Sequence, residues 1–309
     1  MDNKVIKNVL LCGLGAIGSI YAVRLHDAEN ISLRVLVDED RKNKYTRSPL
    51  IFNDKEYNFD YVLPSDNDFK ADLVLIATKN DGLKDAVKNI KNFVTPETIY
   101  LSLLNGLQSE EEIALEYGKE NVLFCYYIGH TSTRQGRRVV HDGVYETVFG
   151  EKENKYYSKN VLAVKELFEA AKINYKIPQD MDYSRWWKFL VNVGYNQASA
   201  VLNASYGVFQ KSEKANNFAI NLMKEAVEIA KACGINNTEK LIPEVLEVIK
   251  TMLPDTRTSM LQDVDAGRKT EVDIFAGYIC DKAEKYQIDT PYNRAVFDII
   301  SAIDEKNSL

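Results

Sequence analysis

From Trp186 to Asn196 the chain reads Trp-Trp-Lys-Phe-Leu-Val-Asn-Val-Gly-Tyr-Asn, so one lysine and two asparagines recur at every fourth position of an otherwise apolar run. On a helix, residues four apart lie almost above one another, and Lys188, Asn192 and Asn196 form one narrow polar stripe. A solvent-facing stripe would be wider and richer in charge. Two readings follow. The ammonium and the two amides line a partly buried pocket, where each needs a partner and can supply one to a ligand. Alternatively, the helix is packed between others and its polar groups satisfy one another. A free lysine, with a pKa of about 10.4, is protonated at neutral pH and can stabilise a developing alkoxide. Dehydration against Trp186 and Trp187 would bring that pKa toward the working range.

A second polar concentration lies at Thr258–Asp273, where Ser259 and Asp263 are four residues apart and can share a helical face. Glu271 falls about a third of a turn off that face on a straight helix, so Gly267 must mark a bend if all three are to act together. A solvated, charge-rich helix face is the other reading.

The third constellation is Gly13-Leu14-Gly15-Ala16-Ile17-Gly18, between the short apolar run Lys7–Cys12 and a helix-periodic segment beginning at Ser19. A GxGxxG that follows a strand and opens a helix is a dinucleotide fingerprint. Gly13 permits the tight turn, Gly15 lets backbone approach a pyrophosphate, and Gly18 lets the helix lie close to the sheet. The phosphates then meet the free N–H groups and positive dipole end of the helix. The next strand, Ser32–Val37, ends in Asp38, placed to bind an adenine-ribose 2′-hydroxyl and favour NAD; Arg41 and Lys42 could instead clamp a 2′-phosphate and favour NADP. Apolar strands at 71–77 and 98–104 end in Thr78-Lys79 and Asn105-Gly106, at the edge where open α/β sheets bind ligands. Polar residues and Asn-Gly turns are also ordinary strand ends.

These residues need a doubly wound α/β sheet to position them. Leu50–Phe52 and Tyr57–Tyr61, flanking Asn53-Asp54, are expected to form a hairpin insert. The pattern is β-rich from 121 to 150, then helical over 157–171, then a short strand at 174–177. Pro178 marks a boundary, giving a dinucleotide-binding domain over 1–178 and a helical substrate-binding domain over 179–309, with the cleft between them as the expected active site. In the second domain, helices are expected at about 183–203, 213–233, 239–250 and 256–266, with two more ending near 286 and 305. Thr290-Pro291 is read as N-cap and N1 of the last.

At 309 residues the chain is long enough for two cored domains. A net charge of −6 gives no support for a nucleic-acid partner; the one dense basic cluster, Arg134, Arg137 and Arg138, is explained by a solvated loop. No secretory signal or bilayer-length apolar segment is expected, and a cytoplasmic location follows. Cys12, Cys125, Cys233 and Cys280 are scattered, as reduced core residues would be, and no metal site is expected. His26, His130 and His141 are given structural roles, so the acid of any proton chemistry is not expected to be histidine.

Taken together, the glycine fingerprint, Thr78-Lys79, Asn105-Gly106, the Trp187-Lys188-x-x-x-Asn192-x-x-x-Asn196 helix, and Ser259-Met260-x-Gln262-Asp263 followed by Thr270-Glu271 resemble the ketopantoate reductase family. These are the 2-dehydropantoate 2-reductases, which reduce ketopantoate to pantoate on the route to coenzyme A. The resemblance covers essentially the whole chain. It implies a Rossmann-type domain followed by a helical one, NADPH as cofactor (NADH being compatible with Asp38), and a small 2-keto acid as substrate. Lys188 would be the general acid and Glu271 would hydrogen-bond the nascent hydroxyl. Asn192 and Asn196 would orient the lysine and the substrate, Ser259 would bind the substrate carboxylate, Asn105 would touch both cofactor and substrate, and Lys79 would contact the cofactor and the substrate. Two positions depart from the family pattern: Tyr206 stands where another asparagine is common, with Asn203 nearby, and Asp38 stands where an NADP-dependent member carries a basic residue. Both departures fit an NAD-dependent D-2-hydroxyacid dehydrogenase acting on branched or aromatic 2-keto acids. A dinucleotide-sensing protein without turnover is a third reading. Apolar positions in the C-terminal helices permit a homodimer without requiring one.

Overall fold

The computed structural model describes residues 4–129 and 132–309, so His130 lies outside the described residues. The chain divides into two compact units, Met1–Met181 and Asp182–Leu309.

The first unit begins with β1 (Asn8–Cys12), α1 (Ala16–His26), β2 (Ser32–Leu36) and α2 (Glu39–Arg47). Three short strands follow, β3 (Leu50–Phe52), β4 (Lys55–Tyr57) and β5 (Asp60–Val62), then β6 (Leu73–Ile76) and α3 (Leu83–Asn89). Next come β7 (Ile99–Ser102), α4 (Ser109–Tyr117), β8 (Val122–Gly129), β9 (Ser132–Gln135) and β10 (Arg138–His141). The unit closes with β11 (Tyr145–Gly150), α5 (Lys159–Ala170) and β12 (Tyr175–Lys176).

The main sheet has the spatial order β12-β11-β8-β7-β6-β1-β2-β5. From β5 to β8 every neighbouring pair is parallel; β11 returns antiparallel to β8 and pairs in parallel with β12. Period-two alternation splits each central strand between two cores. Val9 and Leu11 pack with Ile20 and Tyr21 of α1 and Val164 and Phe168 of α5. Leu10 and Cys12 pack with Leu83 and Val87 of α3 and Ile113 of α4. A strand covered on both faces must be apolar throughout, which is why β1 and β6 read as unbroken hydrophobic runs. This is a Rossmann-type doubly wound sheet, with its order reversing between β1 and β6.

The expected hairpin is corrected in its second arm. Asn53 (φ 45°) and Asp54 (φ 68°) make the turn that joins β3 to β4. The chain then leaves the hairpin at Tyr57, and Asp60–Val62 pairs with β2 in the main sheet. The hairpin joins β9 and β10 in a second sheet, ordered β4-β3-β10-β9. Two members of the arginine cluster, Arg134 and Arg138, lie in strands of this sheet and Arg137 in the turn between them, in place of the expected solvated loop. The Arg137 guanidinium lies 3.9 Å from the Tyr45 ring centroid and donates to the Ser48 carbonyl and the Tyr61 hydroxyl, while Arg138 pairs with Asp54.

Among its described residues the second unit has helices and no strand: α6 (Met181–Val191, entered from the last residue of the first unit), a π-helical turn (Asn192–Asn196), α7 (Gln197–Leu202), α8 (Tyr206–Lys211) and α9 (Glu213–Ala232). These are followed by α10 (Leu241–Thr251), α11 (Ser259–Asp265), α12 (Ala276–Tyr286) and α13 (Pro291–Ser308). One helix start and one cap differ from expectation. The helix expected from 256 begins at Ser259, because the Thr258 hydroxyl accepts from the Leu261 N–H and fixes the N-cap there. Pro291 is indeed at N1, but the Thr290 side chain makes no capping bond, its backbone (φ −134°, ψ 58°) being far from the usual cap conformation. No helix among the described residues is long and apolar enough to cross a membrane.

Candidate active site

In the first unit, the glycine run, Asp38, Lys79 and Asn105 follow β1, β2, β6 and β7, four adjacent parallel strands, at their carboxyl ends. The three glycines have separable roles. Gly13 has φ +97°, and a Cβ there would sit 2.6 Å from the Ala77 carbonyl. A Cβ on Gly18 would sit 2.0 Å from the Gly13 carbonyl oxygen, so α1 can lie against β1 only with glycine in its first turn. At Gly15 an added Cβ would meet no atom within 4 Å. Protein packing therefore does not require that glycine, whereas close approach of a ligand to the backbone would. The first turn of α1 has no side-chain cap and no acidic residue, which leaves its N–H groups to an anion. The buried Thr78 hydroxyl at the end of β6 has no hydrogen-bond partner, another polar group that a ligand could satisfy. These features fit a dinucleotide pyrophosphate.

Asp38 has a role that its position alone did not indicate. One carboxylate oxygen accepts from the Arg41 backbone N–H at 2.7 Å, capping α2, and the other lies 3.1 Å from the Arg41 guanidinium. Lys42 lies 3.8 Å from Asp66. The rival determinants of cofactor choice are thus partners: the acid that would favour NAD also holds the arginine that would favour NADP.

In the second unit the Lys188 helix is not a plain α-helix. After Val191 it widens into the π-turn, where the Gln197 N–H donates to the Asn192 carbonyl, five residues back. The turn packs closely on α9: a Cβ on Gly194 would sit 2.6 Å from Met223 Cγ and 3.3 Å from the Ala219 carbonyl oxygen. Gln197 stabilises the turn. It is fully buried, and its amide donates to the Val193 carbonyl and to Asn293 of α13 while accepting from the Ala276 N–H of α12. Gln197→Leu would strand these buried groups. About 3 kcal/mol of stability should be lost, read as a lower denaturant midpoint with unchanged slope.

The polar stripe persists across the π-turn. Asn196 donates to Asn192 Oδ1 and lies within 3.2 Å of Ser259 Oγ on α11. Asn192 is 1% exposed, and its amide nitrogen has no partner. The amides thus satisfy each other at one end and leave a buried donor at the other. Burial pushes the Lys188 ammonium down to about 8, and the negative charge of Glu271 opposes that fall. Two residues before the lysine, Trp186 packs against Phe189 and Tyr278 and anchors this part of the helix in an aromatic cluster. The expected bend before Glu271 is present: α11 ends at Asp265, Gly267 takes φ +61°, and Glu271 precedes a short 3₁₀ turn. Asp263 is held by Arg268 at 2.6 Å.

Asn203 does not replace the absent asparagine, for it is an exposed left-handed C-cap whose side chain accepts from Arg257. Tyr206 opens α8, a helix missed in the sequence, and is buried beside Tyr195. Neither Gln197 nor the π-turn was foreseen; a buried glutamine beside a glycine in an apolar helix was the only local signal.

A doubly wound dinucleotide-type domain followed by a helical domain carrying a dehydrated lysine and buried amides is the architecture of a dinucleotide-dependent oxidoreductase. The chain belongs to the ketopantoate reductase family. The family model "Ketopantoate reductase PanE/ApbA" matches residues 9–154, and "Ketopantoate reductase PanE/ApbA C terminal" matches residues 180–304. The 2-dehydropantoate 2-reductase of Nostoc sp. (strain PCC 7120) is 27% identical over 311 residues, covering 96% of this chain and 95% of that protein. Among solved structures, D-mandelate dehydrogenase in a ternary complex with NADH and anilino(oxo)acetate is similar, with a TM-score of 0.86 at 22% identity over 98% of this chain and 100% of that one. The 2-dehydropantoate 2-reductase of Methylococcus capsulatus has a TM-score of 0.82 at 22% identity, covering 98% of both chains.

Proposed function

We propose that this protein reduces ketopantoate to pantoate, with NADPH as the preferred cofactor, NADH as a usable one, and Lys188 as general acid. The observation that carries this reading is the buried, unpartnered Asn192 amide nitrogen one helical turn from Lys188, whose charge lies within the field of Glu271. Residues 1–178 bind the dinucleotide, and residues 179–309 bind the keto acid. Gly13, Leu14, Gly15, Ala16, Ile17 and Gly18 receive the pyrophosphate, Asp38 and Arg41 meet the adenine ribose, and Lys79 and Asn105 reach the remainder. Once bound, the dinucleotide supplies the hydride. Lys188 holds a proton at Nζ and gives it to the keto oxygen as that oxygen gains charge. Glu271 accepts a hydrogen bond from the new hydroxyl and favours the charged lysine. Asn192 and Asn196 orient both partners, and Ser259 binds the substrate carboxylate. A cytoplasmic location is in keeping with this chemistry. Exposed Leu202, Val208 and Leu253 offer a homodimer an apolar surface.

A specific observation favours a second reading. Tyr206 occupies the place of an asparagine suited to a substrate hydroxyl, and Asn203 is engaged elsewhere. The structural likeness to D-mandelate dehydrogenase points the same way, toward an NAD-dependent D-2-hydroxyacid dehydrogenase. Steady-state rates with ketopantoate, 2-ketoisovalerate and phenylglyoxylate, each with NADPH and NADH, decide between them. The first reading expects the highest kcat/KM for ketopantoate with NADPH; preference for a substrate without the distal hydroxyl, or for NADH, gives way to the second.

A further inference from the structure

Glu271 belongs to no long helix, so something must hold it within reach of Lys188. Gly267 ends the regular path of α11, and the chain does not re-enter a long helix until Ala276. Within this connection Thr270 is fixed at three points. Its backbone N–H lies 3.2 and 3.1 Å from the two carboxylate oxygens of Asp304, and its hydroxyl donates to the second at 2.7 Å. The same hydroxyl accepts from the Val272 N–H at 3.4 Å, closing a turn around Glu271. Thr270 is 5% exposed, so these bonds are shielded from competing water. Asp304 comes from the last turns of α13, remote in sequence and outside every motif considered above.

We propose that Asp304 is a positioning residue for the reaction: by clamping Thr270 it sets the distance between Glu271 and Lys188. This rests on the assignment of Lys188 as general acid. A carboxylate suits the task because one group accepts from both a backbone and a side-chain donor of the same residue. An apolar side chain at 304 would leave the Thr270 N–H and hydroxyl without their carboxylate acceptor. The neighbouring Lys269–Asp273 pair, at 3.1 Å, is solvent-exposed and screened, and offers no equivalent constraint.

The test is a comparison of Asp304→Ala, Asp304→Asn, Glu271→Gln and the double variant Asp304→Ala/Glu271→Gln, as full-length proteins, by pH–rate profile, kcat and KM. Asp304→Ala is expected to lower kcat about tenfold and to move the alkaline limb to lower pH, because Lys188 loses the charge that keeps it protonated, while KM for the dinucleotide stays unchanged. Asp304→Asn retains an acceptor and should recover most of the rate. In the Glu271→Gln background, Asp304→Ala should shift the limb no further. An Asp304→Ala variant with lowered thermal stability but a parental pH profile and kcat overturns the proposal. So does an equal further shift in the Glu271→Gln background. If the parental protein turns over no 2-keto acid, it is the underlying reading that fails, and direct titration of the Lys188 amine by NMR in the same variants still measures the clamp. A lowered Lys188 pKa in Asp304→Ala supports it, and an unchanged one overturns it.

Discussion

Lys188→Ala should lower turnover on the order of 10²–10⁴-fold while leaving dinucleotide affinity at the parental value. On this account the ammonium is the proton source, and burial of its head lowers its pKa while the charge of Glu271 opposes the fall. At about 8, its pKa leaves it mostly protonated at neutral pH and a stronger acid than a solvated lysine. The sign follows from which form is active. Reduction needs the protonated amine, so its rate falls as pH rises through about 8; oxidation of the hydroxy acid needs the free amine and rises over the same interval. Rapid-mixing kinetics paired with calorimetric titration of the cofactor separates turnover from binding. A protein that senses dinucleotide without turning over substrate would leave the variant and the parent alike in every assay.

Gly18→Ala should abolish useful dinucleotide binding, with a loss of about 10²-fold or more. The new methyl would lie 2.0 Å from the Gly13 carbonyl oxygen and 3.2 Å from Ala77 Cβ, and the first of these is backbone that no rotamer change can clear. The N-terminus of α1 must then lift from β1, taking its free N–H groups away from the phosphates. Gly15→Ala is the matched contrast. Its backbone, at φ −78°, accepts any residue, and its Cβ would meet no protein atom within 4 Å. The variant should keep the parental Tm yet lose comparable affinity, because the methyl occupies the approach of the pyrophosphate. Undiminished NADPH and NADH affinity in Gly15→Ala would show that the loop is not the phosphate cradle.

Where function rides on local pattern, the sequence was readable. The glycine run, the apolar strands and the bend at Gly267 are each dictated by a few adjacent residues, and the structure has them where expected. What escaped depends on partners remote along the chain. The second sheet exists because a hairpin at 50–57 pairs with strands at 132–141, and no periodicity in either segment announces the other. The π-turn sits where Met223 approaches Gly194 and where Gln197 bonds to α12 and α13, contacts remote in sequence, so helical spacing alone could place Lys188 and Asn192 but not the geometry between Asn192 and Asn196. Asp38 was legible as an acid at a strand end, and Arg41 as a nearby base. That the two are bonded to each other is a capping interaction, three residues apart, which a strand-end reading passed over.

The most direct test of Lys188 as the acid of a 2-keto acid reductase is the pH dependence of kcat for NADPH oxidation with ketopantoate by the parental protein. The expected result is saturable turnover that falls as pH rises through about 8, with the limb absent from the residual rate of Lys188→Ala. Tight NADPH binding without oxidation by ketopantoate or any other 2-keto acid, or an alkaline limb that persists in Lys188→Ala, would contradict it.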